Sequence, residues 1–140
     1  MSFVWTPALA VGVEPIDTQH QELFHRLNAL LAAIGGQGRD REVLGTLAFL
    51  GDYVVRHFED EERLMREAGY PALPVQLAEH QQFTAAFARL RSRFARHGID
   101  GAFAKDVESG LCDWLVRHVQ RSDRALGEWL STRSAAQPAR

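Results

Sequence analysis

The stretch His57-Phe58-Glu59-Asp60-Glu61-Glu62 sets an imidazole and a carboxylate at i and i+4. On a helix, His57 and Glu61 then share one face, one above the other. That face is otherwise apolar, since alternating steps of three and four residues give Val43, Leu47, Leu50, Val54, His57, Glu61 and Leu64. A histidine and a glutamate on an apolar stripe cost free energy unless something satisfies them. A metal ion is the simplest group that satisfies both.

Further candidates sit on other apolar stripes. His20 heads the series Phe24, Leu27, Leu31, Ile34, and Gln76 and His80 head Phe83, Phe87, Leu90, Phe94. His118 follows Phe103, Val107, Leu111 and Leu115, with Asp123 five residues beyond. Four amphipathic helices carry these residues, predicted from about Asp17 to Ile34, Asp40 to Ala68, Pro74 to Arg96 and Asp100 to Leu130. Gly35-Gly36, Gly69 and Gly98 read as helix stops. Pro7, Gly12 and Pro15 leave residues 1–16 as an irregular arm, and Asp17 reads either as the first N-cap or as an acceptor for the His20 ring.

Short links make neighbouring helices antiparallel, so the predicted fold is all-α, an up-down-up-down four-helix bundle spanning residues 1–131, with residues 132–140 a disordered tail. In that topology the starts of odd helices and the ends of even ones meet. His20, His57, Glu61, Gln76, His80, His118 and Asp123 then fall in a single layer. Four imidazoles and two carboxylates exceed the four ligands of a structural zinc and suit a pair of metals bridged by carboxylates. Iron fits such a mixed set best; manganese and zinc are also compatible with it. His118 and Asp123 are about 140° apart on a regular helix, so both reach one site only where the helix widens into a π turn or Asp123 enters from the bundle edge.

Composition sets the outer bounds. The chain has 140 residues, 46% hydrophobic, with a net charge of −2, which fits one soluble domain and points to neither nucleic acid nor an anionic membrane. No apolar stretch approaches the roughly 18 residues of a membrane span, and no secretion signal opens the chain, so a cytoplasmic location is expected. The single cysteine, Cys112, rules out an internal disulfide and reads as a small buried apolar residue. His25 and His97 read as surface residues, and Glu59, Asp60 and Glu62 as a solvated face. No helix shows a second long apolar stripe, so a monomer is expected.

These residues resemble the hemerythrin family, most closely its single-domain bacterial members. The resemblance is carried by Val11-Gly12-Val13, Ile16-Asp17, Gln19-His20, His57-Phe58 with Glu61-Glu62 and Met65, Gly69-Tyr70-Pro71 with His80 nine residues beyond the proline, and Trp114-Leu115 before His118 and Asp123. It implies reversible O2 binding at a non-haem di-iron centre (an oxygen carrier, store or deliverer rather than an enzyme). By position, Glu61 and Asp123 would bridge two irons, His20 and His57 would hold the iron with the open place, and His80 and His118 the other. Trp5, Trp114 and Leu115 read first as core residues and second as walls of the oxygen pocket, Leu115 because it lies one turn before His118.

One ligand departs from the family pattern, which has a histidine where this chain has Gln76. Three outcomes are open. Gln76 or water completes the shell of the second iron; the second iron binds loosely; or O2 no longer binds reversibly. The last would make the protein a redox or gas/peroxide sensor, or simply an iron-binding protein.

Overall fold

The structure, a computed structural model, describes residues 3–36 and 39–136. Four helical rods form an antiparallel up-down bundle, and no strand occurs among the described residues. Helix α1 is Glu14–Gly35, α2 is Arg39–Ala68 and α3 is Leu73–His97. The fourth rod, α4, runs without a break through Gly101–Val107, Glu108–Asp113, Trp114–His118, Val119–Asp123 and Arg124–Ala136. Helix α1 packs along α2, α2 along α3, α3 along α4, and α1 also meets the first segment of α4, which closes the ring around one core.

The predicted stripes are the buried faces. Val43, Leu47, Leu50 and Val54 of α2, Phe83, Phe87 and Leu90 of α3, and Phe103, Val107, Leu111 and Leu115 of α4 all lie inside. Cys112 is buried among them as a free thiol, and burial pushes it up to about 12. His25 and His97 are exposed.

Four local expectations are corrected. Helix α1 begins at Glu14, not Asp17, because Pro15 falls in its first turn, where a proline costs no hydrogen bond. Asp17 therefore neither caps α1 nor faces His20. Its carboxylate accepts from the backbone N–H of Val11 (2.8 Å) and of Gly12 (3.2 Å), where Gly12 turns through φ 86°, and so ties the arm to α1. Helix α4 continues to Ala136, beyond the expected end at Leu130, and residues 137–140 of the expected tail lie outside the described residues. The arm is not wholly irregular either, since Pro7–Leu9 forms a 3-10 turn.

Two stretches of α4, Glu108–Asp113 and Val119–Asp123, are π-helical. The second is the widening, one of the two ways in which the spacing of His118 and Asp123 allows both to reach one site. The first was not anticipated, although a sign of it exists. Phe103, Val107, Leu111 and Leu115 recur every four residues, which gains about 40° per step on an α-helix. A wider turn absorbs that drift and keeps all four on the core.

Candidate metal centre

His20, His57, Glu61, Gln76, His80, His118 and Asp123 are all buried, and all lie in one layer of the bundle. The donor atoms of His20, His57, Glu61 and Asp123 lie within 4.8 Å of one another, as do those of Glu61, His80 and His118. Glu61 belongs to both groups. His20 Nε2 is 2.9 Å from Asp123 Oδ2 and His57 Nε2 is 3.7 Å from Glu61 Oε2. Glu61 Oε1 is 3.0 Å from His80 Nε2 and 3.8 Å from His118 Nε2, which in turn is 3.2 Å from Asp123 Oδ1. Gln76 joins from α3, its Nε2 donating to Asp123 Oδ1 at 3.0 Å.

The outer side of three imidazoles is occupied. His57 Nδ1–H donates to Gln19 Oε1 (2.7 Å), and Gln19 in turn donates from Nε2 to Asp60 (2.8 Å), which fixes the amide's orientation. His80 Nδ1–H donates to Glu62 (2.8 Å). His118 Nδ1–H donates to Glu79 (2.7 Å), which also accepts from the Ser122 hydroxyl. A neutral ring with its proton on Nδ1 presents a lone pair at Nε2, toward the centre of the layer. Glu62 and Asp60, expected on a solvated face, thus belong to this outer support, and Gln19, Glu79 and Ser122 were missed. The signal was sequence adjacency. Gln19 precedes His20 and serves His57, Glu62 follows Glu61 and serves His80, and Glu79 precedes His80 and serves His118.

Toward the centre, polar atoms are left over. His57 Nε2, Glu61 Oε2 and Gln76 Oε1 are sealed from solvent with no hydrogen-bond partner, and the approaches of His20 Nε2 and His118 Nε2 to Asp123, at 2.9 and 3.2 Å, lack hydrogen-bond alignment. Such orphans cost about 1–3 kcal/mol each, more when charged. Imidazole lone pairs facing carboxylate oxygens repel unless a positive charge stands between them. Two ligands at about 2.1 Å from one cation and at right angles to each other are about 3 Å apart, close to the tighter spacings above. The residues present therefore fit bound cations.

The titration behaviour agrees. His57 is lowered to about 4, because burial disfavours its charge more than Glu61 favours it, so it stays a neutral donor. Burial also opposes charge on His118, but Asp123 and Glu61 outweigh it and hold the imidazole up to about 11. Burial raises Asp123 in turn, yet His118 and His20 bring it well below the usual carboxylate range. Two buried carboxylates call for a cation here, and a proton on His118 supplies one when a metal does not.

The apolar surround comes from aromatic rings. Trp114 stacks on His118 (4.6 Å between centroids, 12° between planes) and Phe58 stacks on His80 (3.9 Å, 7°), with Phe83 touching both Trp114 and Phe58. Leu115 is buried one turn before His118. Trp5 packs partly buried on the core from the arm, with its indole N–H sealed off and unpaired. Phe58 and Phe83 were not among the expected wall residues, though Phe58 directly follows His57.

A bundle with an inward imidazole on each of four helices and inward carboxylates on two of them has known counterparts. Residues 11–130 match the family model described as the hemerythrin HHE cation binding domain. The chain is 34% identical to a bacteriohemerythrin of Methylococcus capsulatus over 130 residues, covering 91% of this chain and 95% of that one. It is 30% identical to a myohemerythrin of Riftia pachyptila, covering 86% and 88%. A crystal structure of wild-type hemerythrin superposes with a TM-score of 0.79 at 29% identity, covering 90% of this chain and 95% of that one. The chain belongs to the hemerythrin family.

Proposed function

We propose that the protein binds O2 reversibly at a non-haem di-iron centre, as a carrier, store or deliverer rather than an enzyme. The observation that carries the reading is the pair of overlapping donor groups that share Glu61, with their innermost atoms buried and unpartnered. In this reading His20 and His57 would hold one iron and His80 and His118 the other, with Glu61 and Asp123 serving the pair. When bound, the two irons supply the electrons that O2 takes up on binding and returns on release. The relatives named bacteriohemerythrin and myohemerythrin support the same assignment.

The chain's own residues do the rest. Gln19, Glu62 and Glu79 hold their imidazoles in one tautomer and orientation, which presents Nε2 inward and raises its basicity where the partner is a carboxylate. Trp114, Phe58, Phe83 and Leu115 keep water and stray protons away from the centre, which favours release of intact O2 over irreversible oxidation. A buried layer closed by four packed helices suits a small ligand better than a large substrate. None of the described helices is long and apolar enough to cross a membrane.

The test is an optical titration of the anaerobic, iron-loaded protein with O2, followed by its removal. The reading predicts a visible band that appears and disappears over repeated cycles. A one-way conversion to the ferric form would sink it in favour of a redox or sensing role.

A further inference from the structure

We infer that the two metal positions fill in sequence, the His20–His57 position first, and that the amide oxygen of Gln76 sets how tightly the second is held. The inference rests on the metal centre proposed above but not on O2 binding. The first position gathers four mutually close donors, two imidazoles and two carboxylates, whereas the second gathers Glu61, His80 and His118. What stands beside them is Gln76, buried to 1% exposure.

Its amide has two ends with different tasks. Nε2 donates to Asp123 Oδ1, the same carboxylate oxygen that lies 3.2 Å from His118 Nε2. That bond places Gln76 beside His118, next to the second donor group. Oε1, on the same amide, has no partner and no contact with solvent, which leaves it free to accept a cation. An amide oxygen is uncharged and a weaker donor than an imidazole toward a first-row transition metal. Glu62 and Glu79 lean the other way. They raise the basicity of His80 and His118, which keeps the second position from being lost. The balance is a second position that is occupied but weaker.

The test is an anaerobic titration of the metal-free chain with Co(II), read by its visible absorption, in the natural chain and in Gln76→His and Gln76→Leu. The natural chain should take up cobalt in two phases of one equivalent each, separated by at least about tenfold in affinity. Gln76→His should tighten the second phase by about tenfold or more, and Gln76→Leu should weaken it by about tenfold or more while moving the first phase less. A single phase of two equivalents in the natural chain, or two phases that neither substitution moves, would overturn the inference. No cobalt uptake at all would overturn both the inference and the metal centre. A cobalt result as expected beside failed O2 cycling would overturn the carrier reading alone.

Discussion

At the scale of single residues, the centre is built as much by its outer partners as by its donors. Glu79 is partly exposed and touches no donor atom, yet it fixes His118 and is itself fixed by Ser122. Replacing it by glutamine removes the charge behind the ring. The expected result is a metal affinity at the second position lower by about 10- to 100-fold, with folding stability changed by no more than about 1 kcal/mol. Metal titration beside urea unfolding checks this, and an unchanged affinity would show Glu79 to be a bystander. The buried histidines also set a pH profile for the metal-free chain. Unfolded His57 takes up a proton near 6.5 while the folded residue resists until about 4, so stability is lost as pH falls through that window. His118 behaves oppositely. Its proton is kept to about 11 in the folded state, so its contribution is whole below 6.5 and is lost as pH rises toward 11. Urea midpoints of the metal-free chain should therefore peak near pH 6.5 and fall on both sides. A metal that displaces the His118 proton should flatten the alkaline side. A monotonic profile in the metal-free chain would contradict these assignments.

At the scale of elements, each of the first three helices supplies an inward ligand and, beside it, a partner for the next helix. Gln19 of α1 serves His57 of α2, Glu62 of α2 serves His80 of α3, and Glu79 of α3 serves His118 of α4. A neighbour in sequence is about 100° around the helix, which points it at the seam with the adjacent rod. The inward residues were legible because they interrupt apolar stripes. The outer ones were not, because a polar residue at the edge of a stripe looks like any solvated side chain until the packing is known. The π turn in α4 was legible for a different reason, since two residues five apart had to reach one site. It makes a sharp prediction. Deleting exposed Arg121 should restore a regular helix with His118 and the following aspartate at i and i+4, on one face, and metal binding should survive. Inserting an alanine at the same point should swing Asp123 about 100° away and abolish binding at unchanged helicity. Equal loss in both variants would count against the bulge as an accommodated extra residue.

At the scale of the whole molecule, the N-terminal arm straps the bundle beside this layer. Asn28 grips both backbone groups of Phe3, Asp17 holds Val11 and Gly12, and Arg124 donates to the carbonyl of Ala8. The arm presses so close to α4 that a Cβ at Gly127 would overlap the Val11 carbonyl oxygen. Gly127→Ala should therefore displace the arm and destabilise the fold by about 1–3 kcal/mol, well beyond the effect of an alanine at open Gly45. Denaturant unfolding of the two variants measures the difference, and equal stabilities would show the arm to be loose. The path of this strap could not be read from its sequence, because prolines and glycines announce only that a helix is interrupted. In the case of Pro15 even that failed, since a proline in a first turn starts a helix instead.

The claim that joins the three scales is that one buried carboxylate, Glu61, belongs to two metal positions at once. The most direct measurement is iron per chain in anaerobically purified protein and in Glu61→Ala, with circular dichroism to establish that both are folded. Two irons in the natural chain and loss of both in the folded variant is the predicted result. A natural chain that takes up no iron, or a variant that keeps its full complement, would contradict the account.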